Sequence, residues 1–280
     1  MRHRFGSTKE PFYADLSRIC AATVPRLAGT HHRFAEVTPG GAWCFGAAPD
    51  EMGSDRTLPE PLDEIGTPDV IVRHMFYPAG MTAYRALVED VLGLPLVGSP
   101  APVTGLATSK LWTRDVPASG GVPVAEARRI EGGLRRDLPA PYVVRPDTEN
   151  NSRGISIIRD PADTPAAMAE AFIPGREIRA AVIEREGDLI VPPFIETPVS
   201  EDRPIRDVAD KLEGAGGALR QSTRDEAQPI CPAELDDDLA RALTQAATAA
   251  HRALGARHYA LFDGALWAEV AGAGAAPKAA

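Results

Sequence analysis

The chain has 280 residues, 44% of them hydrophobic, and a formal net charge of −9. This length and apolar content allow a sizeable core, which argues against an intrinsically disordered protein. The acidic balance argues against a nonspecific nucleic-acid-binding protein, which needs a basic surface, so we expect no nucleic-acid partner. A local basic pocket for a small anionic ligand stays compatible with this composition.

The cysteines and the start of the chain favour a reducing compartment. Cys20, Cys44 and Cys231 lie far apart and show no zinc-site spacing, which argues against a structural zinc site and suits a reducing environment. The basic start of the chain is not followed by the apolar segment of a signal peptide. No apolar run approaches the ~20 residues that a membrane helix needs. We therefore expect a cytoplasmic protein with no membrane partner.

The first third of the chain carries the signals of a parallel α/β sheet. A buried-strand pattern at 69–72 is followed by a helix that starts at Thr82, its expected N-cap, and stops at Gly93. A second strand follows at 94–97. This order predicts a βαβ unit, with a ligand site beyond the carboxyl ends of its strands. His74 lies in the loop at that end, where it could contact a ligand. A lone histidine more often has a structural role.

The stretch 142–158 predicts a strand, a polar loop and a second strand. Its two ends are mostly β-branched or aromatic, and Arg145 ends the first strand before a loop that contains Gly154. Such a loop can turn several backbone N–H groups toward a phosphate, and arginine adds a planar fork of donors. The alternative is an ordinary surface hairpin with an exposed arginine.

Further elements are predicted along the rest of the chain. They are helices at 104–114, 165–172 and 235–254, an edge strand at 122–130, strands at 178–183 and 189–195, and a final hairpin at 258–270. The helix at 104–114 presents Lys110 and Arg114 on one side. The final hairpin has Asp263-Gly264 as its turn, because Asp-Gly between two apolar runs is a strong hairpin signal.

With these segments in this order, the chain resembles the ATP-grasp superfamily, and specifically D-alanine–D-alanine ligase-like enzymes, over about residues 69–270. The similar segments are a lysine-bearing helix at Thr108–Arg114, a phosphate-covering loop at Tyr142–Ile158 and a ribose-binding segment at Ile173–Ile178. The resemblance implies an α/β protein of the α+β ATP-grasp type. Its N-terminal parallel α/β domain would span 1–99, and two α+β subdomains, 100–172 and 173–280, would clasp a nucleotide.

The resemblance also implies the cofactors ATP and Mg²⁺ and the residues that bind them. Lys110 and Arg145 would contact the phosphates, and Ser152 with the N–H groups around Gly154 would cover them. Glu170 would bind the adenine and Glu177 the ribose. Lys211 would be the catalytic contact with the transferred phosphate, and Asp263 and Glu269 would bind magnesium. Carboxylate oxygens are ligands that Mg²⁺ prefers. The alternative is that Lys110, Lys211 and Glu177 are solvated surface charges and that Asp263 is only a turn residue.

The implied activity is that of an ATP-dependent carboxylate–amine ligase that works through an acyl phosphate. Its small-molecule substrates would be amino acids, or a related acid and amine, and the resemblance suggests a homodimer. Three departures favour an alternative, a degenerate ATP-grasp protein that binds nucleotide weakly or not at all and is not catalytic. No asparagine follows Glu269, Asp263 and Glu269 are too close in sequence with Leu261 where an arginine is usual, and the stretch from Gly154 to Ile173 is short. Separately, Gly80-Met81-Thr82 replaces an acidic segment, which leaves the substrate open.

Overall fold

A computed structural model describes residues 1–57, 68–129, 140–149, 152–159, 168–200, 202, 204–205, 212–215, 218–221 and 228–266. The chain forms two compact units. The first contains residues 1–105 and 212–221, and the second contains residues 106–211 and 222–280. The predicted further division of the second unit at residue 172 stays a prediction.

The first unit is built on a four-stranded sheet. Its strands are β1 (Arg2–Gly6), β2 (Arg33–Val37), β3 (Trp43–Gly46) and β4 (Ile71–Arg73). Their order in the sheet is β3-β2-β1-β4. β1 pairs in parallel with β2 and β4, and β3 is an antiparallel edge strand. Helix α1, Pro11–Ala22, connects β1 to β2, as parallel pairing requires. The predicted parallel sheet is therefore confirmed.

The helical segment after β4 departs from the single helix that was predicted. It consists of α2, Pro78–Met81, α3, Ala83–Ala86, and a π-helical segment, Leu87–Val91. Thr82 stands at the N-cap position of α3, but its side chain accepts no capping hydrogen bond, and its hydroxyl instead donates to the Pro78 carbonyl oxygen, 2.8 Å away. Gly93 does end the segment, with a φ of 63° that favours glycine. Leu96 then forms a parallel bridge with Ile71, so the βαβ order is confirmed although the second strand is only a bridge.

His74, directly after β4, is buried in a row of stacked histidines. Its Nε2 lies 3.3 Å from Nδ1 of His3, and Nε2 of His3 lies 2.9 Å from Nδ1 of His32. Burial lowers the pKa of both His3 and His74 to about 4, so both are neutral at neutral pH. His74 therefore has the structural role that its residue type favours.

Helices α4 and α5 replace the single helix predicted at 104–114. They are Ala101–Thr108 and Lys110–Ser119. Ser109 separates them in an extended conformation, and its side chain accepts a hydrogen bond from the Trp112 N–H, as an N-cap does. The prediction of one continuous helix is wrong because the side chain of Ser109 competes with the backbone for that N–H group.

A four-stranded antiparallel sheet follows in the second unit. Its strands are β5 (Ala127–Arg129), β6 (Tyr142–Arg145), β7 (Ser156–Ile158) and β8 (Met168–Ala171). Their order in the sheet is β5-β8-β6-β7. β6 and β7 form the predicted hairpin. β5 is an edge strand as predicted, but it begins at Ala127 and not at residue 122. The helix predicted at 165–172 is wrong in its described part. β8 pairs with both β5 and β6, and this pairing overrides the local helix propensity of its residues.

A second sheet in this unit is centred on β9, Arg176–Arg185. β9 pairs in antiparallel fashion with β10, Asp188–Ile190, β11, Ile195–Thr197, and β14, Tyr259–Leu266. Helix α6, Asp237–Ala253, packs on one face, where Ile178, Ala180 and Val182 belong to the same apolar cluster as Ala247. Two further strands, β12, Leu212–Ala215, and β13, Ala218–Gln221, pair with each other in the first unit. No helix within the described ranges combines the length and apolar character needed to cross a membrane.

The predicted turn at Asp263-Gly264 is wrong. Both residues lie inside β14, where Asp263 is opposite Arg179 and Gly264 is opposite Ile178 of β9. Asp-Gly indicates a hairpin when the runs on either side pair with each other. Here the whole eight-residue strand pairs with β9, so long-range pairing overrides the local signal. Asp263 therefore lies within a strand and not at a hairpin tip.

Candidate functional site

The start of α5 is tied to the loop that follows β6. Lys110, the first residue of α5, donates from Nζ to the carbonyl oxygens of Asp147, 3.0 Å away, and of Glu149. The Asp147 carboxylate accepts hydrogen bonds from Ser109 Oγ at 2.8 Å and from the Leu111 N–H at 3.1 Å. These bonds satisfy donors that are free at a helix start. They also hold the Lys110 ammonium beside the predicted phosphate-covering loop.

Arg145, the last residue of β6, forms an ion pair with Glu170 of β8. Glu170 lies opposite Val143 in the antiparallel register, and Arg145 is two residues further along, so the pair is diagonal on one sheet face. Nε of Arg145 is buried and has no hydrogen-bond partner among the described residues. A phosphate oxygen is an acceptor that fits this donor, because arginine binds phosphate through several N–H groups at once.

Lys110 and Arg145 lie close enough to repel each other. The pKa of Lys110 falls to about 8, first because burial disfavours the ammonium and then because of the charge on Arg145. The carboxylates of Asp147, Glu149 and Glu170 act in the opposite direction. Two cations in this arrangement favour binding of a polyanion, which would relieve their repulsion.

Ser152 and Gly154 shape the loop between β6 and β7. Their φ angles are 60° and 69°, in the left-handed region. A Cβ at Gly154 would lie 2.9 Å from Cγ of Pro146, so only glycine allows this close approach. Arg153 forms an ion pair with Glu149 at 3.6 Å. The described part of the loop therefore folds back onto the end of β6, where the two cations lie.

The face of the β9 sheet opposite α6 carries two more of the predicted residues. Glu177 and Arg179 alternate with the buried residues of β9, so they lie on the face opposite α6. In the register, Asp263 lies opposite Arg179, and Thr197 lies opposite Glu177. Asp263 is exposed, and Nη2 of Arg179 donates to Oγ1 of Thr197 at 2.8 Å. Glu177 and Asp263 thus share one sheet face on adjacent strands.

The predicted ribose-binding segment is anchored by Arg176. This residue donates to both carboxylate oxygens of Glu196, at 2.8 and 2.6 Å, and to the carbonyl oxygen of Glu234 at 2.9 Å. The bidentate hydrogen bonds raise the pKa of Arg176 and lower the pKa of Glu196. Arg176 therefore fixes the backbone next to Glu177.

The predicted magnesium ligands are only partly covered by the structure. Glu269 and the predicted catalytic residue Lys211 lie outside the described residues. Within the described ranges, no group of three or more His, Cys, Asp or Glu side chains is arranged to hold a metal ion. Asp263, which is exposed on β14, fits the role of one carboxylate ligand to Mg²⁺, a metal that proteins often hold through one or two carboxylates and substrate phosphates.

Three residues of this arrangement are missed by the sequence analysis. Ser109 could have been found, because serine is a preferred N-cap residue and stands directly before Lys110. Arg179 could have been found from Glu177, since residues two apart share a face of a strand. Asp147 could not, because it contacts Ser109 from 38 positions away and nothing local encodes that contact.

Curated relatives of the chain are D-alanine–D-alanine ligases, whereas no family model matches it. The ligase of Gluconobacter oxydans is 31% identical over 221 residues, which make up 74% of this chain and 68% of that protein. The ligase of Chelativorans sp. is 29% identical over 218 residues, 72% of this chain and 66% of that protein. The matched stretch thus spans about two thirds of the length of these relatives.

Solved structures with the same fold are also ligases. VanG D-Ala:D-Ser ligase from Enterococcus faecalis has a TM-score of 0.68 at 15% identity, covering 96% of this chain and 86% of the other. D-alanine–D-alanine ligase from Bacillus anthracis complexed with ATP has a TM-score of 0.63 at 15% identity, covering 95% and 81%. The fold is therefore that of the ATP-grasp class, of α+β type, as predicted. Within this class, the chain belongs to the D-alanine–D-alanine ligase family.

Proposed function

We propose that this protein is an ATP-dependent carboxylate–amine ligase that joins two amino acids, or a related small acid and amine, through an acyl phosphate. Its curated relatives are named D-alanine–D-alanine ligases, and one structural neighbour is a ligase complexed with ATP. D-Alanine is therefore the first substrate to test. The relatives favour this activity over a non-catalytic ATP-grasp protein.

The observation that carries the proposal is the placement of Lys110 and Arg145 together where α5 begins and β6 ends. The triphosphate of ATP would bind to the Lys110 ammonium and the Arg145 guanidinium, and its charge would raise the lowered pKa of Lys110. It would also provide an acceptor for the buried Nε of Arg145. Both effects make binding of a polyanion more favourable than binding of a neutral ligand.

The proposed reaction has two displacements. A carboxylate oxygen of the first substrate attacks the terminal phosphorus of ATP, and ADP leaves. The neutral amine of the second substrate then attacks the acyl carbon, its nitrogen gives up one proton, and inorganic phosphate leaves and takes up a proton. Lys110 and Arg145 would stabilise the negative charge that moves onto the phosphate oxygens of ADP.

Other residues of the site have supporting roles in this proposal. The loop with Ser152 and Gly154 would cover the phosphates and exclude water, which protects an acyl phosphate from hydrolysis. Glu177 would accept hydrogen bonds from the ribose hydroxyls, and Glu170 would contact the adenine. Mg²⁺, when bound, would neutralise phosphate oxygens. Asp263 would contribute one ligand to it, and Lys211 and Glu269 keep their predicted roles.

Phosphate release tests the proposal directly. The chain is incubated with ATP, Mg²⁺ and D- and L-amino acids, singly and in pairs. We expect release with one or a few amino acids and a fall of at least ~100-fold in kcat/KM for Lys110→Met, because a charge that stabilises the transition state is lost. Lys9→Met, which removes an exposed lysine of the first unit, is the matched control and should behave like the unaltered protein. Equal release by the Lys110 and Lys9 variants would contradict the proposed role of Lys110.

One observation favours the alternative of a non-catalytic ATP-grasp protein. Leu261 stands where the family usually has an arginine, and it is 55% exposed, two residues from Asp263 in the same strand. A leucine side chain offers no charge to a phosphate. In this alternative, ATP raises the melting temperature of the protein, Lys110→Met removes that effect, and no amino acid releases phosphate.

We also propose a homodimer, which the family resemblance suggests, in a reducing cytoplasm, which the cysteine spacing suggests. The free thiols of Cys20, Cys44 and Cys231 support a reducing environment. Light scattering tests the oligomeric state, because a dimer has about twice the chain mass of 29.8 kDa. A mass equal to that of one chain would refute the dimer.

A further inference from the structure

The first sheet contains a buried arginine, and the two Nη atoms of its guanidinium have no hydrogen-bond partner in the part of the chain that the structure describes. Arg4 of β1 is 2% exposed. Its guanidinium carbon lies 5.6 Å from the ring centroid of Trp43, a distance at which an aromatic face attracts a cation. Nη1 and Nη2 of Arg4 are both buried, and neither has a hydrogen-bond partner among the described residues. Trp43 therefore contacts the cation without accepting its N–H hydrogen bonds.

Arg4 stays charged at neutral pH. Burial, with a smaller effect from the charge on Arg2, lowers its pKa to about 10, which is still far above neutrality. A buried charge is strongly unfavourable unless it is paired and hydrogen-bonded. No carboxylate of the described residues forms an ion pair with Arg4. The charge of the Arg4 guanidinium would therefore be stabilised by a bound anion, because none of the described residues supplies its counter-ion.

The neighbours of Arg4 on the same sheet face add more positive charge. Arg4 lies opposite Arg73 of β4, and Arg2 lies opposite Arg33 of β2. Arg2 and Arg4 are two residues apart in β1, so all four side chains belong to one face. Like charges on adjacent strands repel each other. An anion bound at this face would offset that repulsion.

A small cavity lies beside three of these arginines. It is lined by Arg2, Arg4, Arg33, Phe34, Ala35 and Phe45. The cavity has room for about one water-sized sphere. Arg33 is exposed, which places one wall of the cavity at the protein surface. A monatomic anion is a ligand of about the size that this space accommodates.

We propose that this cavity is a binding site for one small anion of chloride size, held by Arg4 together with Arg2 and Arg33. Ala35 and Phe45 lie opposite each other on the same sheet face as the arginines, and these apolar neighbours lower the local dielectric constant, which strengthens the attraction between the ion and the guanidinium groups. The site lies within the first unit and does not depend on the proposed ligase activity.

Thermal unfolding tests this site. The protein is heated at neutral pH and constant ionic strength while sodium gluconate is replaced stepwise by sodium chloride. We expect the melting temperature to rise with chloride and to saturate, because an anion that binds only the folded state stabilises it. Arg4→Met should abolish the rise, and Arg33→Met should shift it to several-fold higher chloride concentration. Arg185→Met removes an arginine whose side chain is 73% exposed, in the second unit, and should keep the full rise.

A direct measurement keeps the proposal testable if Arg4→Met does not fold. Crystals grown with sodium bromide should show an anomalous peak within hydrogen-bonding distance of the Arg4 guanidinium, and the Arg33→Met variant should show a weaker peak or none. A chloride effect of equal size in the unaltered protein and in the Arg4 and Arg33 variants would overturn the proposal. So would a melting temperature that ignores chloride, or bromide sites only elsewhere on the surface.

Discussion

Lys110 should take up a proton when ATP binds at alkaline pH. Its pKa is about 8 in the free protein, because of burial and the charge on Arg145. At about pH 9 a group with this pKa is ~90% neutral, and a bound triphosphate that restores an ordinary lysine pKa would drive uptake of up to ~0.9 proton per ATP. The affinity for ATP should be constant below the free pKa and fall by up to ~10-fold per pH unit above it.

The sign of this effect follows from which state binds more protons. Burial lowers the pKa of Lys110 below its ordinary 10.5, so in the folded protein without ATP the Lys110 ammonium loses its proton as the pH rises through about 8. The ATP complex keeps the proton, because the phosphates favour the charged ammonium. ATP binding is therefore accompanied by proton uptake between these two pKa values, and by only ~0.1 proton at about pH 7.

Calorimetry in two buffers of different ionisation enthalpy measures the number of protons taken up. The unaltered protein and Lys9→Met should both show uptake at about pH 9. Lys110→Arg should bind ATP without it, because arginine does not lose its proton in this range. Equal uptake in the Lys110→Arg variant, or no uptake in the unaltered protein, would refute the assignment of Lys110 to the phosphates.

Three substitutions test the residues around Lys110. Glu170→Gln removes the carboxylate partner of Arg145 and should tighten binding of inorganic triphosphate by about 2–5-fold in calorimetry, because an ion pair of this exposure is worth up to ~1 kcal/mol. Weaker triphosphate binding in this variant would contradict the prediction. Gly154→Ala should lower the free energy of unfolding by about 1–2 kcal/mol in denaturant titrations, because its φ of 69° is unfavourable for alanine, and an unchanged midpoint would refute it. Asp147→Ala should cost about 1 kcal/mol by the same measurement, because the start of α5 loses two hydrogen bonds, while Asp147→Asn should retain part of them.

Local signals predict much of this fold. The hairpin of β6 and β7 follows from two β-branched runs around a polar loop, and Arg145 is at the strand end where the sequence predicts it. The turn between β9 and β10, at Glu186 and Gly187, also follows from adjacent residues, both of which have positive φ. These features are predictable because the interacting residues are neighbours in the chain.

Features that depend on distant pairing are not predictable in this way. Asp263-Gly264 has the composition of a turn, but β14 pairs with β9, some eighty residues earlier, and the turn does not form. Glu170 lies in a segment of helix-favouring residues that becomes a strand between two others. The ion pair between Arg145 and Glu170 is a consequence of that strand and could not be inferred from either residue alone.

Transfer of a heavy-oxygen label tests the proposed acyl phosphate most directly. The protein is incubated with ATP, Mg²⁺ and D-alanine labelled in its carboxylate oxygens, or with whichever labelled amino acid gives phosphate release, and the released phosphate is analysed by mass spectrometry. The proposed reaction transfers one labelled oxygen from the carboxylate to each phosphate, and Lys110→Met forms little labelled phosphate. Released phosphate that contains oxygen only from ATP and water would contradict an acyl phosphate and leave simple ATP hydrolysis as the activity.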